Sequence, residues 1–281
     1  MNEQGGRIPW WLCLQLWGVD VFLATVCWGL GVAALMQVTI IEEGPLVLLG
    51  VAGWICSLAV RLWGAVRGKG WFVSYYRSHA APMLMLTFGV GMAAVWLSFF
   101  YVGQSILDYA FFPVLLLLLA VVVGTFRRMS DIGGLAGLLY DFLLGLSYAQ
   151  ACIVPACYFS FVSAPLNRAS LWYFAVLMGL YFMMRRSWLL PKAERERRDL
   201  IITCGLLMMM IMALLTSLAS PFFERSLCVM IAMACACLQV LMQLRERLSN
   251  EALFSLSWWV MALPPVICIS VFAPETWWTL P

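Results

Sequence analysis

The chain reads as a succession of long apolar runs separated by short polar or charged breaks. A bilayer-spanning helix requires about 20 mostly apolar residues, and nine such runs can be drawn. They cover Leu12 to Val38, Pro45 to Val66, Ala81 to Val102, Ala110 to Phe126, Leu135 to Val162, Ser170 to Met184, Leu200 to Leu218, Ser226 to Leu244 and Leu253 to Val271. The fourth and sixth are short. The fifth is long enough to tilt or bend, and Pro155 inside it removes one helical hydrogen bond. Ser249-Asn250-Glu251, just before the last run, is a helix-start signal, because short polar side chains accept from first-turn amides. No linker, low-complexity tail or internal repeat interrupts the series. The expectation is one all-α polytopic membrane domain over residues 1–281, with nine transmembrane helices.

Composition strengthens this pattern. Of the 281 residues, 64% are hydrophobic and 11% charged, against roughly 25% charged in soluble domains. A soluble fold of this size could not cover so much apolar surface. The first run is too long for a cleavable signal and has no small-residue cleavage site after it, so it reads as a first membrane helix. All ten cysteines fall within apolar runs, where cysteine behaves as a small hydrophobe rather than a disulfide or zinc framework.

Charge sets the orientation. With the N-terminus in the cytoplasm, nine spans place 15 of the 17 Lys and Arg residues on the cytoplasmic side. Only Arg168 and Arg225 fall on the other side, together with Glu42, Glu43, Asp108, Glu224 and Glu275. This asymmetry follows the positive-inside rule, and an even number of spans would scramble it. Trp10, Trp11, Trp71, Trp188, Trp277 and Trp278 lie near the proposed helix ends, where amphipathic rings settle. The long connections are cytoplasmic, around Arg67 to His79 and around Arg185 to Asp199. With a prokaryotic plasma membrane the simplest destination, the expected location is a bacterial inner membrane.

The candidate chemistry is sparse. Asp20 and Asp141 each lie about two turns into a cytoplasmic-to-outside run, at similar depth. A carboxylate inside the bilayer costs on the order of 3 kcal/mol and marks a cavity, a cation site, a proton relay or a helix-packing pin. Arg61, in the last turns of the second run, is placed either to snorkel to the interface or to face an anionic head. Lys69, Arg77 and His79, the chain's single histidine, stand among Trp71, Phe72, Tyr75 and Tyr76. That mixture suits a lipid phosphate or diphosphate, or a nonspecific interfacial anchor. In the second long loop Lys192, Arg195 and Arg198 are the basic candidates. Glu194, Glu196 and Asp199 are the acidic ones, able to hold a divalent ion, although Glu194 and Arg198 also form an i, i+4 helical pair. No phosphate-binding loop, dinucleotide motif, paired histidine or nucleophile elbow occurs. One histidine excludes a bis-histidine haem, and the charge pattern gives no sign of nucleic-acid binding.

Three stretches carry a family resemblance. Val19-Asp-Val-Phe-Leu-Ala-Thr-Val-Cys-Trp28 matches a Leu-Asp-Ala-Pro-Leu-Val-Ala run followed by Trp. Ser57-Leu-Ala-Val-Arg-Leu-Trp-Gly-Ala65, then Trp71-Phe-Val-Ser-Tyr-Tyr-Arg-Ser-His79, matches Tyr-Leu-Ala-Asp-Arg-Leu-Leu-Asp-Ala, then Arg-His-Arg-Phe-Tyr-Arg-Arg-His. Arg247-Leu-Ser-Asn-Glu-Ala-Leu-Phe-Ser-Leu-Ser-Trp258 matches Arg-Leu-Ser-Pro-Glu-Ala-Leu-Arg-x-Leu-Ala-Asp. In this order and topology the chain resembles a divergent bacterial branch of the UbiA superfamily of intramembrane prenyltransferases. That resemblance implies nine helices and active-site loops between the second and third and between the sixth and seventh. It also implies an isoprenoid or other lipid ligand, and, in catalytic members, Mg²⁺ between carboxylates and a prenyl diphosphate. Here Val60, Gly64 and Trp258 stand where the branch has aspartates, so the first metal lacks a holder. The expectation is a UbiA-like protein that binds isoprenoid or lipid at a degenerate site, with Mg²⁺ relevant only if it is catalytic. The alternative is a transporter or permease subunit with Asp20 and Asp141 as coupling sites.

Overall fold

The computed structural model describes residues 10–38, 41–66, 73–100, 105–129, 135–159, 168–188, 199–219, 222–248 and 250–274. All regular structure in them is helical. In chain order the helices are α1 (Trp10–Leu16), α2 (Val19–Leu35), α3 (Glu43–Val66), α4 (Val73–Ser78), α5 (Ala80–Phe100), α6 (Ser105–Met129), α7 (Leu135–Phe159), α8 (Arg168–Trp188), α9 (Asp199–Ala219), α10 (Phe222–Leu244) and α11 (Asn250–Phe272). A short 3₁₀ turn, Arg245–Arg247, follows α10.

Each of the nine apolar runs falls on one long helix, with two adjustments. The first run is not one helix: it breaks at Trp17 and Gly18 into α1 and α2, and Gly18 has φ +81°. Glycine reaches that left-handed conformation without the Cβ clash other residues meet. The fourth and sixth runs lengthen into helices of 25 and 21 residues, because flanking polar residues continue the hydrogen-bond ladder beyond the apolar stretch. Five helices are long and apolar enough to cross a membrane, over Ala80–Phe100, Asp108–Thr125, Gly137–Tyr158, Asp199–Ala219 and Arg225–Leu244. Shorter apolar helical stretches are Val19–Leu35, Glu43–Ala59, Tyr173–Met184 and Val260–Phe272. α11 starts at Asn250, within the predicted helix-start signal, while Ser249 lies outside the described residues.

Side-chain contacts give the helix directions. Thr25 and Tyr148 share a hydroxyl hydrogen bond at 2.7 Å, and Gly29 lies beside the Cys152 carbonyl. Both pairs are 123 residues apart, so α2 and α7 run parallel. Trp28 pairs with Met261 and Gln37 with Phe272, separations of 233 and 235, so α11 also runs parallel to α2. Neighbours in sequence run the other way. Gly205 meets Met184 while Tyr173 bonds Thr216, which makes α8 and α9 antiparallel. Gly124 meets Tyr140 while Ser147 bonds the Pro113 carbonyl, which does the same for α6 and α7.

α2 is the hub, touching α1, α3, α7, α10 and α11. Its Trp28 is fully buried and lies 6.0 Å from the Tyr181 ring and 5.3 Å from Phe182. The same core takes in Met178, Leu206, Met230, Ile231 and Leu238. Between membrane helices the drive to associate is close packing and hydrogen bonding rather than escape from water, and both are visible. Gly179 brings α8 against the α7 backbone, where an added Cβ would sit 2.9 Å from Leu146 Cα. Gly31 makes room for the Pro265 ring, 2.7 Å from the same hypothetical atom. Pro265 has no N–H, so the Met261 carbonyl four residues earlier loses its helical donor. Trp28 Nε1 donates to that carbonyl at 2.9 Å.

α5 and α6 are the periphery. Met83 is the one buried residue described on α5, and α5 packs chiefly on α3. Leu84, Met85, Phe88, Met92, Trp96, Phe99 and Phe100 stand exposed along it. A helix apolar all round suits a lipid surrounding.

Candidate functional site

The polar groups of the N-terminal half converge on the break between α1 and α2. A helix that stops leaves its last carbonyls without intrahelical donors. In an apolar setting each such group costs several kcal/mol. Three side chains from α3 and α4 donate to carbonyls at this break, two of them to Leu16 and Trp17, and the third to Gln15, whose carbonyl also accepts from the Gly18 amide at 3.0 Å. Arg61 Nη1 donates to the Gln15 carbonyl. Tyr76 OH donates to the Leu16 carbonyl at 2.9 Å. Trp54 Nε1 donates to the Trp17 carbonyl at 2.7 Å. The guanidinium stands at the negative end of α1, and Asp20 stands in the first turn of α2, its positive end, so both helix dipoles are complemented. The two charges face each other at 3.6 Å, with side chains 18% and 11% exposed.

A second layer lies on α4. Trp17 Nε1 donates to Tyr75 OH at 2.8 Å, and Arg61 also reaches Tyr76 OH at 3.5 Å. His79 stacks on Tyr75 with centroids 4.3 Å apart. Its Nδ1 lies 3.0 Å from the Tyr75 carbonyl and 2.9 Å from Ser78 Oγ. Leu16, Leu62, Tyr76 and Met83 form a small apolar cluster beneath. Burial pushes the Tyr76 phenol above its ordinary pKa, and the neighbouring Arg61 pulls partly the other way. The Tyr75 phenol is raised too, chiefly by burial.

No family model, no curated protein and no solved structure matches this chain. The site is therefore read from its own residues.

Of the residues singled out in the sequence, the structure brings Asp20 and Arg61 into one ion pair and places Arg77 and His79 on the α4–α5 corner. Asp141 is buried on α7. The 123-residue register between α2 and α7 sets it level with Gly18, about 3 Å along the axis from Asp20, as its similar depth in the sequence implied. Asp199 heads α9 and faces Arg245 at 3.6 Å. Lys69, Lys192, Glu194, Arg195, Glu196 and Arg198 lie outside the described residues. Val60 and Gly64 are positions on α3, on either side of Arg61. Among the described residues no group of three His, Cys, Asp or Glu could hold a metal ion. A divalent cation at Asp199 would meet the Arg245 guanidinium, and the other acidic candidates, Glu194 and Glu196, lie outside the described residues.

Sequence reasoning missed Gln15, Trp17 and Trp54. Gln15 is 8% exposed, and its Oε1 is buried without a hydrogen-bond partner among the described residues. The available signal was Gly18 inside an apolar run, which marks a possible helix end, preceded by a polar Gln15 with no reason to face lipid.

Proposed function

We propose that this chain is an integral protein of a bacterial inner membrane, with nine spans and a cytoplasmic N-terminus. In helix number and loop placement it is built like the UbiA prenyltransferases, and it binds an isoprenoid or other lipid without transferring a prenyl group. Parallel α2, α7 and α11, each separated by three intervening long helices, are the directions a nine-span serpentine requires. The observation that carries the non-catalytic reading is the engagement of Arg61. Its guanidinium serves Asp20 and the end of α1, and clamping a diphosphate would uncover both. Trp17, Tyr75, Tyr76, Arg77 and His79 around it form an aromatic and basic corner of the kind that sits among lipid headgroups. The test is binding of a prenyl diphosphate to purified protein in detergent, with and without Mg²⁺, and with the monophosphate as control. Equal binding with and without chelator is expected. Mg²⁺-dependent binding that disappears in Glu194→Gln or Glu196→Gln protein would restore the enzyme reading.

A second reading draws on the broken first helix. Interrupted membrane helices with carboxylates at the break line coupling-ion sites in transporters, and Asp20 and Asp141 share that level. Under this reading Asp20→Asn and Asp141→Asn abolish proton-coupled flux in proteoliposomes while lipid occupancy stays intact.

A further inference from the structure

We draw no further inference here: the strongest candidate, the open apolar groove between α3 and α5 beside Ile55, Leu84 and Gly91, carries nothing, because nothing in the structure shows what covers it.

Discussion

If Arg61 is a staple across the helix break, removing it should unfold the protein rather than merely weaken a ligand. Arg61→Leu removes one of two donors to the Gln15 carbonyl and takes from Asp20, at 11% exposure, the cation it faces. Losing one partner of a buried pair costs about 3–5 kcal/mol, while the Gln15 carbonyl keeps its bond from the Gly18 amide. Asp20 keeps some compensation from the α2 dipole, worth about 0.5 kcal/mol. The pair is partly exposed and 3.6 Å apart, which places the expectation near the low end, about 3 kcal/mol. Asp20→Asn should cost less, about 1.5 kcal/mol, because Arg61 keeps its backbone acceptor and Tyr76. The double variant should cost about 2.5 kcal/mol, since the stranded carboxylate is gone. The coupling of about 2 kcal/mol is what a direct interaction produces. The assay is reversible unfolding of the detergent-solubilised protein in increasing denaturing detergent, for wild type, both single variants and the double. Additivity within about 0.5 kcal/mol, or wild-type stability of Arg61→Leu, would refute the staple and return Arg61 to the list of free ligand-binding cations.

Two further outcomes follow from the same reasoning. Trp28→Phe should cost about 1.5 kcal/mol by leaving the Met261 carbonyl without a donor; in a Pro265→Ala background, where the helix supplies that donor itself, the cost should fall by at least half, and an unchanged cost would show that the ring's packing matters rather than its N–H. The Tyr76 phenol is raised by burial above its ordinary 10.0, so its protonated form is favoured in the folded state. Its contribution to stability is complete below pH 10 and is lost as pH rises through the folded value. Alkaline unfolding midpoints of wild type and Tyr76→Phe should therefore differ by a constant amount below about pH 10 and converge above it; a difference that does not change as pH rises well above 10 would contradict the burial of that phenol.

The nine apolar runs are legible in the sequence because a membrane-length helix needs only local information: composition over about 20 residues and the self-contained hydrogen-bond ladder. An end is legible where a polar signal marks it, as at Asn250 ahead of Leu253 to Val271, whereas the fourth and sixth runs lengthen in the structure. Asp20 and Asp141 were recognisable as exceptional because a carboxylate in an apolar run has few neutral explanations, and their shared depth followed from counting residues. The break at Gly18 was not legible. Whether a glycine in an apolar run continues a helix or ends it depends on whether donors wait at the right place, and those donors, Trp54, Arg61 and Tyr76, come from 36 to 58 residues further along the chain. The sequence alone determined that this protein is helical and apolar. Only the tertiary structure decided that Arg61 and Asp20 close a helix break upon each other and that Trp28 repairs the gap made by Pro265. The physical reason is that hydrogen bonding and packing between helices are set by which faces meet. Residues far apart in the chain share a register that no local pattern encodes.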